Sequence, residues 1–381
     1  MGVRRRLTAA LSVGVAASAV LSGPADARPS PAWRLASIPQ TTMTSVLRDV
    51  AAADSAHAWA VGVEGYDPEQ QYTTGDPLIL KWDGIGWSRS SVPAVQGKVS
   101  LRHVAASSVN NVWVTGSLTA HDPGDNTHFV YRYDGSAWSQ VPYPAGATPS
   151  TLSIRDLSVV DGRAWLVGYR DNRPVFHEWN GQSWTEHQAP AECVNGGGIV
   201  NFCTVNAVKA FAPNDVWAAG NGMWNGFAGP LLFHWNGTAW RAIQVAGSQQ
   251  TAFQSLDGRS SKDIWAVGDS GGMGSGNVIV RGDGTTWQQI GGLNAPRVPG
   301  VAISRSGTPW VIGNMMPLAA FNTYASGAWA TTPAPPYASG TAYNAIAAVP
   351  GTDRVFAVGY TDVPGTSPLR LRAVIASYSI W

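Results

Sequence analysis

The sequence predicts an all-β fold, a seven-bladed β-propeller of four-stranded blades, and three observations carry that prediction. A hydrophobic-Trp-x-x-Gly signature recurs at intervals of roughly 50 residues, a period in the range of propeller blades. Each copy is preceded by a short strand pattern and followed by a strand, a tight-turn signal and another strand. The last unit lacks its fourth strand, and a matching segment stands at the other end of the chain. Units of this length, each worth four antiparallel strands, are the mark of radial repetition around a channel. A six- or eight-bladed count is the alternative that the weaker copies leave open.

The elements follow in order within each unit. The second strand, b, carries the signature: AWAVG at 58–62, VWVTG at 112–116, AWLVG at 164–168, VWAAG at 216–220 and IWAVG at 264–268, with PWVIG at 309–313 and VFAVG at 355–359 as weaker copies. A short way upstream, strand a reads LRDVAAAD, LRHVAASS, IRDLSVVD, VNAVKAFA, FQSLDGRS and YNAIAAVP. Strands c and d flank an Asp-Gly or Asn-Gly pair, as in LILKWDGIGW and LLFHWNGTAW. Such pairs tolerate positive φ and mark hairpins. In the seventh unit the chain stops after LRAVIASYSIW, and PAWRLASIP at 31–39 resembles the d strands WSRSSVP and WSQVPYP. The N-terminal strand therefore closes the last blade. Sixteen of the 18 tryptophans fall on repeat positions, which assigns them to blade-to-blade packing; Trp381 ends the chain and Trp224 has no repeat position.

Residues 1–27 have the anatomy of an export signal: three arginines, an apolar run from Leu7 to Leu21, and Ala25-Asp26-Ala27 before the cleavage point. Residues 28–381 then form a single propeller domain outside the cell. Cleavage leaves 22 basic against 23 acidic residues, so nothing drives the chain to nucleic acid or to an anionic membrane. No later segment is long and apolar enough to insert in a membrane. Two cysteines in an exported chain, Cys193 and Cys203, predict a disulfide.

Turns a–b and c–d are short and uniform, whereas loops b–c and d–a are long and differ in every blade. The two kinds emerge on opposite faces, and function favours variable loops on a rigid frame. The decorated face offers Tyr66, Asp67, Glu69 and Tyr72 from blade 1, and His121, Asp122, Asp125 and Asn126 from blade 2. Blade 3 adds Tyr169, Arg170 and Asp171, and the b–c loop of blade 4 adds Asn221, Trp224, Asn225 and Phe227. Trp224 is either a lid over the neighbouring disulfide loop or a ring held out for a ligand. A second polar set stands where strand a begins: Arg48 and Asp49, Arg102 and His103, Arg155 and Asp156, then Asn206, Gln254 and Asn344. These form either inter-blade Arg–Asp pairs along the channel wall or a basic collar for an acidic ligand.

No nucleophile elbow, zinc motif or EF-hand loop occurs. Residues 121–126 are rich in oxygen ligands without diagnostic spacing, so neither metal nor cofactor is expected. The repeats with W-[AV]-V-G and W-[DN]-G-x-x-W resemble a family of secreted actinobacterial propellers, grouped loosely with the galactose oxidase central domain and kelch-like blades. The doubled glycine of kelch repeats is absent, and no copper-ligand set carries over. Some propellers of this kind resemble lectins, including subunits displayed on secreted antibacterial toxin particles. The resemblance implies a carbohydrate-binding module that meets a cell-surface glycan or polysaccharide, with protein subunits of a secreted complex as further partners. Trp224 with Asn225, and Tyr66 and Tyr72 with Asp67, supply the rings and hydroxyl partners a sugar needs. A protein-interaction scaffold is the second reading. An enzyme on polysaccharide is the third, with Asp49 and Asp156 as its first acid pair.

Overall fold

A computed structural model describes residues 1–2, 30–69, 74–93, 95, 97–119, 126–144, 152–170, 173–193, 202–224, 227–245, 250–270, 276–315, 318–335 and 340–379. The export-signal reading of residues 1–27 falls almost wholly outside them. Seven four-stranded antiparallel sheets make up the molecule, each running a-b-c-d from the channel outwards. In blade 1 these are Ser45–Asp54, His57–Glu64, Asp76–Trp82 and Trp87–Arg89. The seventh sheet consists of Ala342–Ala348, Val355–Val363 and Arg370–Ser379, completed by Ala32–Leu35 from the N-terminal end. Ala32 pairs with Ser379 and Leu35 with Ala376, as the sequence match predicts. The only described helical segment is the single turn Ala191–Cys193.

The turn chemistry follows from the sequence. Asp83 Oδ1 accepts the N–H groups of Ile85 and Gly86 at 2.9 Å, while Gly84 takes φ of +97°. Such an Asx turn needs an acceptor followed by a residue free to adopt the left-handed region. Asp134, Asn180, Asn236 and Asp283 repeat it in blades 2 to 5.

The core is a ring of seams rather than one central mass. Trp59 of blade 1 is fully buried among Val99, Leu101 and Val112 of blade 2, and Trp113 meets Ile154, Leu157 and Trp179 of blade 3. Trp165, Trp217, Trp265 and Trp310 take the same place at the next four seams. At the seventh, Phe356 replaces tryptophan and packs on Trp82 and Trp87 of blade 1. Trp33, on the closing strand, is 4% exposed and stacks on Phe321 with ring centroids 3.7 Å apart. Each such ring removes about 200 Å² from water, worth roughly 5 kcal/mol before ordering costs. Cys193 and Cys203 are bonded, tying the loop before blade 4 to the first residue of its strand a.

The signature glycine has a local cause. In blade 1, Leu47 pairs with Gly62 and Asp49 with Val61, so Arg48 is one residue more than its partner strand supplies. This β-bulge pushes the Val46 carbonyl to 2.0 Å from where a Cβ on Gly62 would stand. Only glycine fits, and the bulge turns the extra side chain towards the channel. The same register shift recurs at Arg102, Arg155, Asn206, Gln254 and Asn344. In blade 6, strand a is only Val301–Ile303 and has no such shift.

Candidate functional site

The bulge residue is the third or fourth residue of strand a, towards the end from which loops b–c and d–a emerge. Its side chain therefore stands at the mouth of the channel on the decorated face. In two blades this position does structural work. Asn344 Nδ2 donates to the Leu47 carbonyl of blade 1 at 2.7 Å, and Asn206 Nδ2 donates to the Phe253 carbonyl of blade 5 at 2.9 Å. Each amide stitches its blade to the next.

In blades 1 to 3 the same position carries arginine, and no such stitch forms among the described residues. Arg102 Nε donates to Ser117 Oγ at 3.2 Å. Arg155 lies over the Tyr169 ring, 4.9 Å from its centroid, and donates to the phenol oxygen at 3.4 Å. Arg48 is half-buried, and its Nε is buried without a hydrogen-bond partner. Among the described residues, none of the three guanidiniums lies within ion-pair distance of a carboxylate. They line a cavity of about 390 Å³ with His103, His128, Ser153, Ile154, Tyr169 and Asn344.

Burial and a positive field that no described carboxylate neutralises set the protonation of these groups. Burial, then the charge of Arg102, pushes Arg48 down to about 10. Burial and Arg155 lower Arg102 as well. His103 is pushed down to about 3 and His128 to about 4, in both cases by burial first and the neighbouring arginines second. Both imidazoles are therefore neutral at neutral pH, and the collar carries three positive charges. Further along the channel wall, charge is paired: Lys209 Nζ meets Asp257 Oδ1 at 2.7 Å, and Asp257 raises the lysine. Among the described residues, compensation is present inside the channel and missing at its mouth.

The expected Arg–Asp pairs along the wall do not form. Asp49 turns away from Arg48 and accepts the N–H of Val50 at 2.8 Å and of Val104, in blade 2, at 2.9 Å. Asp156 accepts Leu157 at 2.7 Å and Val208, in blade 4, at 2.8 Å. Each carboxyl is an inter-blade stitch made to the backbone, and backbone N–H groups offer the nearer donors. Burial, then the charge of Asp156, pushes Asp49 up to about 8; burial pushes Asp156 up to about 7. His103 Nδ1 is 3.8 Å from Asp156 Oδ1, a contact rather than a full ion pair, because the imidazole is neutral.

The decorated loops divide. Tyr66 is 7% exposed and packs with Val46 and Val63, so its ring serves blade 1 and is not offered to solvent, contrary to the sequence reading. Asp67 is exposed and caps its own turn by accepting the Glu69 N–H at 3.0 Å. Tyr169 lines the cavity, while Arg170 is occupied by Glu186 at 2.7 Å. The stretch read as the b–c loop of blade 4 is largely strand: Asp215–Trp224 and Phe227–Trp235 pair out to Trp224 opposite Phe227. The Asn-Gly pair at 225–226 was the hairpin signal for this extension. Tyr72, His121, Asp122, Asp125, Asp171 and Asn225 lie outside the described residues, as do the side chains of Asn126, Trp224 and Phe227. His128 and Ser153 were missed. His128 had a signal, since blades 1, 3 and 4 carry Pro77, Pro174 and Pro230 at its register position. Among the described residues no cluster of His, Cys, Asp and Glu could hold a metal ion, and no helix is long and apolar enough to cross a membrane.

No protein-family model matches this chain, and no curated protein matches it. Solved structures do. The structure of YCF48 bound to D1 peptide aligns with a TM-score of 0.55 at 15% identity, over 91% of this chain and 96% of that one. YCF48 from Cyanidioschyzon merolae aligns at 0.57 and 16%, over 91% and 98%. The GH74 xyloglucanase from Xanthomonas campestris aligns at 0.57 and 12%, over 90% of this chain and 55% of the enzyme. At these identities the likeness is one of fold: the chain is an all-β seven-bladed propeller. The actinobacterial repeat family stays a resemblance.

Proposed function

We propose that this chain is an exported, non-catalytic recognition module that binds a glycan at the channel mouth of its decorated face. One observation carries the reading. Of the nine residues lining the cavity, eight present hydrogen-bonding side chains and only Ile154 is apolar. A saccharide, with a hydroxyl on nearly every carbon, suits such a lining, whereas a peptide seeks apolar pockets for its side chains. The two acids that a glycoside-cleaving reading would use, Asp49 and Asp156, spend their oxygens on backbone N–H groups of the next blade, which favours binding over catalysis.

A cavity of this size holds one or two sugar units, and a single shallow site of that kind binds at roughly millimolar strength. Display in several copies on a larger secreted assembly, such as a toxin particle, would raise avidity by about 10² to 10⁴. The leader-like sequence of residues 1–27 and the disulfide favour an extracellular setting. A protein-interaction scaffold is the second reading, favoured by the structural neighbour that is bound to a peptide.

The test is an array of glycans and cell-wall polysaccharides probed with the mature chain beside a Tyr169→Ala variant. The reading expects binding to at least one saccharide and its loss in the variant. Binding to no saccharide refutes it.

A further inference from the structure

Resting on the glycan reading, we infer that the arginines of blades 1 to 3 seat the carboxylate of an acidic sugar, so the ligand is a uronate-containing glycan and not a neutral one. The argument comes from a comparison the molecule makes within itself. Six blades carry a bulge at the same register of strand a, and the backbone around it is the same in each. Where that residue is asparagine, in blades 4 and 7, its amide bridges to the next blade's carbonyl. The structural requirement of the position is therefore met by a short neutral side chain. Arginine at the equivalent position in three consecutive blades makes no bridge of this kind, and it brings three charges that oppose one another.

Three like charges side by side are costly unless something neutralises them, and the described residues supply nothing. Arg102 and Arg155 each make one weak neutral hydrogen bond, at 3.2 and 3.4 Å, which holds the fork in place, and their other N–H groups have no carboxylate partner among the described residues. Arg48 has a buried Nε with no acceptor. Guanidinium forks anchored in this way match a planar carboxylate through paired N–H···O bonds. His128 and His103, both neutral, and Asn344 remain as partners for hydroxyls around the carboxylate. The wall beyond the collar carries Asp49 and Asp156, carboxyls that offer an entering anion no charge to pair with. The carboxylate therefore stops at the mouth, with the rest of the glycan lying across the decorated face.

The variant for the test is supplied by the ring itself. The triple change Arg48→Asn, Arg102→Asn and Arg155→Asn gives blades 1 to 3 the residue that blades 4 and 7 already use. Wild type and variant are titrated against uronate polysaccharides (polygalacturonate, alginate and hyaluronan), their carboxyl-reduced forms, dextran sulfate and poly-glutamate. The expected result is binding of at least one uronate polymer, weakened about 10- to 100-fold by carboxyl reduction or by the triple variant, since charge-assisted bonds of this kind are worth roughly 1.5–3 kcal/mol. The variant keeps the wild-type melting temperature or exceeds it.

Equal binding to native and reduced polymers overturns the inference and leaves the glycan reading standing. Stronger binding to dextran sulfate at matched charge assigns the seat to sulfate esters and overturns the carboxylate. Undiminished uronate binding by the triple variant, or a large fall in its melting temperature, also overturns it, the latter by showing that the arginines hold the wall. Preference for poly-glutamate, or no saccharide binding at all, refutes both readings together.

Discussion

Replacing Gly168 with alanine tests whether the bulge, and not the tryptophan three residues before it, explains the signature glycine. A Cβ at Gly168 would lie 2.0 Å from the Ser153 carbonyl oxygen and 3.2 Å from Ile154 Cα. Both obstacles are backbone, so no side chain can swing aside. Either strands a and b of blade 3 separate by about 1 Å or the bulge at Arg155 flattens, and such overpacking costs about 3 kcal/mol, the upper end of its usual range. With an unfolding entropy near 2.1 cal/mol/K per residue over roughly 350 residues, the melting temperature falls by about 4 °C. Gly268→Ala in blade 5, where the Ala252 oxygen is 1.9 Å from the added carbon, falls by a similar amount. Gly229→Ala, with nothing within 4 Å, does not fall. The assay is thermal unfolding followed by near-ultraviolet circular dichroism, together with uronate binding. Gly168→Ala should weaken binding through Arg155, and Gly268→Ala, whose bulge carries Gln254, should not. A Gly168→Ala protein that melts within about 1 °C of wild type would refute the close-approach explanation.

Three further outcomes follow from the described contacts. Asp49 ionises near 4 in an unfolded chain and only near 8 when folded, so between those values unfolding releases its proton and stability falls as pH rises. Asp49→Asn keeps an acceptor for the Val104 N–H, and its melting temperature should vary less than wild type between pH 4 and 8; an unchanged pH profile counts against this. Trp33→Ala removes the ring stacked on Phe321 and should cost about 3–5 kcal/mol, raising hydrogen exchange along Arg370–Ser379 before other blades. Uniform exchange across all blades would contradict that closure. Cys193→Ser with Cys203→Ser releases a short loop and should cost about 2–3 kcal/mol, read as a lower melting temperature that matches wild type under reducing conditions.

Much of the fold was legible because its signals are local and repeated. Trp59 and its counterparts mark strand b, Asp83-Gly84 and its counterparts mark the c–d turn, and both act within a few residues of chain. The match between residues 31–39 and other d strands made the closing strand readable. What escaped depends on contacts between blades. Nothing near Asp49 in sequence shows that its carboxyl reaches the Val104 N–H of the next blade. Its neighbour Arg48 looked like the natural partner until the bulge turned the two apart. Tyr66 looked exposed because it follows Gly65 and precedes Asp67 and Pro68, yet Val46 and Val63 cover it. Strand a of blade 6 went unseen because Val301–Ile303 has no polar residue at the bulge position. The collar itself was legible as a set of residues, and its meaning was not, since charge compensation is a property of the assembled channel.

The pairing of Ala32–Leu35 with Arg370–Ser379 also fixes an order of events. The strand that completes the last sheet leaves the ribosome before the six other blades, and its neighbour leaves after them. Every residue between them must therefore be made before these two segments can meet, and for all that time Ala32–Leu35 has no lasting partner. Six sheets can form as they are synthesised; the seventh waits for Arg370–Ser379. Any agent that binds Ala32–Leu35 before then would delay one step alone, the closing of the ring, and would leave an open arc with the unpaired edge of Arg370–Ser379 exposed to other chains.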